Sequence, residues 1–98
     1  MAKCYFVLDI DVHDSQGIAA YGARVRPLVE SRGGRYLVAT TKFQQPEAPW
    51  DLKMLVIIEF DSIEAAKSVY EDPVYRSEIM PLRLNAATSQ MVIVQGRE

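Results

Sequence analysis

This chain of 98 residues holds one cysteine, one histidine and no cluster of basic residues, so several function classes fall away at once. Cys4 alone cannot close an internal disulfide, which fits a reducing, cytoplasmic setting, and with apolar neighbours and no adjacent cation it reads as an inert core thiol. A formal net charge of −2 without a basic block leaves no footprint for nucleic acid. No apolar run approaches membrane-spanning length, so no membrane association is expected. Asp9 and Asp11 interrupt the N-terminal apolar stretch, and no small-residue cleavage site follows, so no signal peptide is expected. His13 stands in a turn beside Asp11 and Asp14, but without a second strong ligand the trio reads as a solvated helix-capping cluster; neither metal nor cofactor is expected. Gly33-Gly34 stops a helix, whereas phosphate loops open one. The single histidine has no convincing serine partner in its sequence context.

What remains is an ordinary apolar content of 49% and a clear pattern of elements. The chain is long enough for one domain, taken as residues 1–98, with one modest core. Residues 3–12 read as a strand, with Cys4, Phe6, Leu8 and Ile10 on one face and Tyr5, Val7, Asp9 and Asp11 on the other. Asp14 or Ser15 caps a helix whose apolar stripe is Ile18, Tyr21, Val25, Leu28 and Val29, and Pro27 is expected to perturb it. Residues 35–43 form a second strand that alternates less cleanly, and residues 44–52, with Pro46, Pro49 and Trp50, form a loop. Residues 54–60 are the densest apolar stretch, a strand covered on both faces. Asp61-Ser62 caps a short helix carrying Ile63, Ala66, Val69 and Tyr70. Asp72-Pro73 starts a further helical segment with Val74, Tyr75, Ile79, Leu82 and Leu84, with a kink expected at Pro81. Residues 89–95 are the last strand.

The order βαββαβ is the ferredoxin-like, α+β pattern: a four-stranded antiparallel sheet with its helices on one face. The usual strand order, 4-1-3-2, makes the first and third strands central, and these are the two strands with apolar residues on both faces. Tyr5, Val7, Leu55 and Ile57 then lie on a sheet face that no helix remains to cover. An uncovered apolar face is an association surface, so a homodimer is expected, two sheets meeting face to face in an α+β barrel. Tyr5, Val7, Trp50, Leu55 and Ile57 are its expected interface.

Several pieces, in order along almost the whole chain, carry a resemblance: the Tyr21 helix, Gly33-Gly34-Arg35-Tyr36-Leu37-Val38, Trp50 before the third strand, Ile58-Glu59-Phe60, Ala65-Ala66, Tyr70, Pro73-Val74-Tyr75 and Leu82-Arg83. Together they resemble the domain of unknown function 1330 family, a bacterial group within the dimeric α+β barrel superfamily. Asp72 stands where members typically have serine, and Ala48-Pro49 and Lys53 where they tend to have glycine and arginine. The resemblance implies the fold and the dimer, and no reaction.

Five residues are candidates for a ligand site between helices and sheet: Tyr21, Trp50, Glu59, Tyr75 and Arg83. Glu59 shares a strand face with Leu55 and Ile57. Desolvation there would raise its pKa toward that of a general base or acid; the alternative is a strand-end carboxylate paired with a nearby arginine. Arg83 is the expected partner of Glu59 or an anion anchor; the alternative is a solvated helix-surface arginine. Tyr21, Tyr70 and Tyr75 line a cleft or pack in the core. Trp50 closes the pocket or lies in the dimer contact. The leading expectation is a dimer that binds a small organic molecule. Fold-level analogy with enzymes of the dimeric α+β barrel superfamily offers an alternative, a cofactor-independent monooxygenase or isomerase with Glu59 as the base; a haem role is disfavoured because His13 lies in a turn. A purely structural dimer is the third possibility.

Overall fold

The structure, a computed structural model, describes residues 2–47 and 50–97. Strand β1 (Cys4–Val12) alternates as the sequence predicts. Cys4, Phe6, Leu8 and Ile10 are buried, and Tyr5, Val7 and Asp9 between them are half-buried. β2 (Arg35–Thr40), β3 (Leu55–Phe60) and β4 (Ala87–Gln95) complete one antiparallel sheet in the order β2-β3-β1-β4, the expected order read from the other edge. The buried residues of β3, Val56, Ile58 and Phe60, join those of β1 under the helices.

β1 and β3 each begin one residue later than expected, and two other strand ends differ by more. β2 stops at Thr40 because its hydroxyl accepts the Lys42 N–H at 2.9 Å and turns the chain away. β4 begins two residues early, as soon as the preceding helix ends at Ala86. The uneven alternation of β2 has a cause: its register against β3 shifts between Tyr36 and Val38, leaving Leu37 as a bulge residue that is 52% exposed. The loop expected over residues 44–52 includes Ala48 and Pro49, which lie outside the described residues.

Helix α1 (Ser15–Ser31) starts at Asp14, whose carboxylate accepts the Gly17 N–H at 3.1 Å, and it continues through Pro27. Gly33, at φ 79°, ends it in the left-handed conformation. Gly34 then passes so close to the core that a Cβ would lie 2.5 Å from Val29 Cγ1 and 2.8 Å from Phe60 Cε1. Helix α2 (Ile63–Tyr70) is capped by Ser62, whose Oγ accepts the Ala65 N–H. A π-helical turn (Tyr75–Ile79) follows and leads into α3 (Met80–Ala86). Pro81 lies in the first turn of α3, and the wider turn before it takes up the crowding a proline ring imposes on the preceding carbonyls. Among the described residues no helix is long and apolar enough to cross a membrane.

No described helix covers the second face of the sheet. Its side chains form rows across the strands. Arg35, Glu59, Tyr5 and Val94 make one row; Val38, Ile57, Val7 and Val92 make the next; Thr40, Leu55, Asp9 and Gln90 make the third. The middle row is apolar from edge to edge.

Candidate functional site

The sheet-facing stripe of α1 runs Ile18, Gly22, Val25, Val29, spaced by four, three and four residues. Gly22 is the gap in it. A Cβ there would meet nothing within 4 Å. With the small side chains of Ala19 and Ala23 alongside, that gap opens a cleft of about 550 Å³ between α1 and the sheet. Phe6, Leu8, Ile10, Val56, Ile58 and Met91 form its floor, and Tyr36, with Arg26 stacked 5.0 Å over its ring, stands on the β2 side.

The Tyr21 and Tyr75 hydroxyls meet at 3.1 Å in the wall of this cleft. Their rings stand near edge-to-face with centroids 6.5 Å apart. Tyr75 is held from behind. Asp72 Oδ1 accepts the N–H groups of Val74 and Tyr75 at 2.9 and 3.0 Å, and its Oδ2 accepts from Arg32 at 2.7 Å. Those Tyr75 and Arg32 bonds hold the Asp72 carboxyl below the usual carboxylate range. Burial, reinforced by Tyr75, pushes the Tyr21 hydroxyl well above the usual tyrosine value. The Tyr21 phenol therefore stays protonated at neutral pH.

Arg83, from the last turn of α3, packs its guanidinium 5.6 Å over the ring of Tyr21. It is 4% exposed, which removes the solvated-surface alternative. Its Nη1 donates to Ser89 Oγ, and its Nε–H is buried without a partner. Among the described residues no carboxylate lies within ion-pair distance of it.

Of the five candidates, the structure brings together Tyr21, Tyr75 and Arg83. Glu59 and Trp50 lie elsewhere, which corrects their expected placement in the cleft. Strand alternation turns Glu59 to the opposite face, where it accepts from Arg35 Nη2 at 2.7 Å, Arg35 Nε at 3.1 Å and the Tyr5 hydroxyl at 3.1 Å. Its arginine is thus Arg35, its cross-strand neighbour, and not Arg83. The expected upward pKa shift is also corrected. Arg35 holds the Glu59 carboxyl below the usual range, against the opposing effect of burial, so Glu59 stays ionised and its oxygens are already engaged. Asp61 extends this network through Arg35 at 3.0 Å and Lys3 at 2.8 Å.

Trp50 is 69% exposed and borders a shallow depression of about 300 Å³ with Asp9, Asp11, Leu52, Lys53, Thr88 and Gln90, on the open side of the sheet. Asp9 Oδ1 anchors that loop by accepting the Lys53 N–H at 2.7 Å. Tyr70 packs 5.9 Å from Tyr75 against the core. The backbone N–H groups of His13 and Asp14 both donate to the Ala86 carbonyl at 3.0 Å, so their turn ties β1 to the end of α3. Sequence reasoning missed Gly22, Ala23 and Tyr36. The signal for Gly22 was present, a glycine at a helix-stripe position.

Comparison with solved structures places the fold. A Rhodopseudomonas palustris protein of unknown function superposes with a TM-score of 0.78 at 22% identity, covering 99% of this chain and 84% of that one. A methylated form of that protein gives 0.76 at 20% identity, covering 99% and 82%. SnoaB, a cofactor-independent oxygenase from Streptomyces nogalater, gives 0.70 at 15% identity, covering 100% and 96%. These likenesses establish a ferredoxin-like α+β fold. No curated protein matches the chain. The family described as Domain of unknown function (DUF1330) matches residues 3–97, and the chain belongs to it.

Proposed function

We propose that this protein is a homodimer that binds a small organic molecule in the cleft between α1 and the sheet. The observation that carries this reading is the cleft itself, about 550 Å³ of mostly apolar lining opened by a missing side chain at Gly22. Pockets of this size that combine apolar walls with a few polar groups are the usual form of small-molecule sites. The dimer rests on the apolar row Val38, Ile57, Val7 and Val92, flanked by Tyr5, Leu55 and Val94, with Trp50 on the same side. Such a row against a second copy removes apolar area from water at both strands and edges.

The test uses N-phenyl-1-naphthylamine, a neutral dye that brightens in apolar surroundings, together with native mass spectrometry for subunit count and any retained molecule. Wild type should brighten the dye as a dimer. Gly22→Leu extends a side chain into open space, so it should fold, dimerise and lose the dye. Undiminished dye binding by Gly22→Leu removes the cleft from consideration.

A second reading has one observation in its favour, the full-length likeness to a cofactor-independent oxygenase. In such a reaction an activated CH2 of the substrate and O2 give a carbonyl and water, the substrate supplying the electrons. Glu59, on the far face, is not the base for this cleft; the phenol pair is the group placed to hold a deprotonated substrate oxygen, with the Arg83 charge behind Tyr21. Oxygen uptake with a panel of phenolic compounds that carry an activated CH2 is the measurement, and a flat trace with every member rejects this reading while leaving binding intact.

A further inference from the structure

The end of the cleft walled by Tyr21 and Tyr75 has more hydrogen-bond donors than acceptors. Two phenols bonded to each other use one proton and leave one to donate. The guanidinium beside them carries five N–H groups and a full positive charge. It is 4% exposed, its partners are neutral hydroxyls, Ser89 by a direct hydrogen bond and the Tyr21 and Tyr75 phenols beside it, and its Nε–H has none. A buried charge without a counter-ion is costly, and a native protein that keeps one needs a reason for it. The other arginines with ion pairs among the described residues meet carboxylates: Arg24 with Glu78 and Arg35 with Glu59 and Asp61 toward solvent, and Arg32 with Asp72 half-buried. Arg83 is set apart from them by position, since it stacks on the one tyrosine that both lines the cleft and bonds Tyr75.

We infer that the ligand of this cleft is an acid: an apolar body bearing one anionic oxygen, which accepts from the Tyr21–Tyr75 hydroxyl pair and feels the charge of Arg83 stacked behind the Tyr21 ring. The inference rests on the cleft as the binding site and deepens it by naming the ligand's class. The phenols select an acceptor, and the guanidinium makes a negatively charged acceptor preferable to a neutral one. A carboxylic acid and an acidic phenol or enol both supply that oxygen.

The experiment compares three probes of one shape on the intact protein: 2-naphthoate, 2-naphthamide and 2-naphthol. Wild type should bind the naphthoate at least about tenfold more tightly than the amide, and Arg83→Gln should reduce that preference to about twofold. Arg83→Gln should keep its affinity for the neutral dye N-phenyl-1-naphthylamine. Bound naphthol that shows phenolate absorbance at neutral pH assigns an acidic phenol or enol as the ligand; naphthol bound in its neutral form, beside preferred naphthoate, assigns a carboxylic acid. Equal binding of naphthoate and amide to wild type, or an acid preference that survives Arg83→Gln, overturns the inference. Dye binding that is lost in Gly22→Leu would leave the cleft standing in that event. Should Arg83→Gln fail to fold, the Arg83 Nε–H resonance of wild type decides: it shifts with naphthoate and not with the amide if the inference holds, and an unmoved resonance overturns it.

Discussion

The two faces of this sheet are built from the same strands and do opposite things. On the helix side, β1 and β3 contribute Phe6, Leu8, Val56, Ile58 and Phe60 to a dry core, and the one place where packing is missing is the Gly22 cleft. On the other side, Val7, Ile57, Val38 and Val92 form an apolar row left open, bounded at one end by the Arg35–Glu59–Tyr5 network. Charge separates the faces as well. On the open face Glu59 and Asp61 pair with Arg35 and Lys3, while on the helix face Arg83 is buried with no carboxylate within ion-pair distance among the described residues. Polar groups on the open face are therefore structural, and those at the Tyr21–Tyr75–Arg83 cluster have unmet hydrogen-bonding capacity.

The largest effect separating the faces should come from Phe60→Ala. Phe60 is fully buried and its ring lies 4.8 Å from that of Phe6. Loss of about 3–5 kcal/mol in denaturant unfolding is expected for emptying such a site. Ile57→Asp, one strand position of opposite parity in the same β3, should leave the fold intact and release monomers, read by size exclusion with light scattering. In a two-fold interface the new charge appears twice, opposed to apolar neighbours. A dimer that persists in Ile57→Asp would show that this face is not the contact.

A smaller effect lies at the polar end of the open face. Glu59 and Asp61 are held below ordinary carboxylate values, by Arg35 and by Lys3 respectively as the leading causes. A lowered folded-state pKa adds stability above the unfolded value and surrenders it as pH falls through the folded value. Thermal midpoints followed from about pH 7 to about pH 3 should therefore decline below the ordinary carboxylate range. Glu59→Gln should flatten part of that decline, with the rest left to Asp61 and Asp72; an identical pH profile would show that the ion pair is energetically idle. The smallest effect belongs to Gly22→Ala. Replacing a helix-interior glycine should stabilise by about 0.5–1 kcal/mol. It should also trim dye affinity far less than Gly22→Leu does, so that a graded pair of variants maps the cleft.

The element order and the sheet's two faces were legible because strand alternation is a local rule. Cys4, Phe6, Leu8 and Ile10 differ from Tyr5 and Val7 within nine residues, and both sets fell where the period of two puts them. The bulge at Leu37 shows up in sequence as a spoiled alternation. Helix α1 was legible as a stripe, but reading only its apolar members hid the glycine that opens the cleft. The candidate site was half legible. Tyr21 and Tyr75 meet because α1 packs beside the π-helical turn, a contact made across 54 residues.

The partner of Glu59 marks the boundary between the two kinds of information. Arg35 and Arg83 stand equally far from it along the chain, one before and one after. Composition and spacing determined that Glu59 shares a face with Leu55 and Ile57, that the chain forms βαββαβ, and that one face of its sheet is left apolar and bare. Only the tertiary structure decided which arginine Glu59 takes. Antiparallel pairing of β2 with β3 sets Arg35 directly opposite it, while α3 carries Arg83 to the other side of the sheet. Pairing across a sheet follows from strand register, a non-local property, and the equally non-local packing of α3 on α1 leaves Arg83 buried beside two phenols.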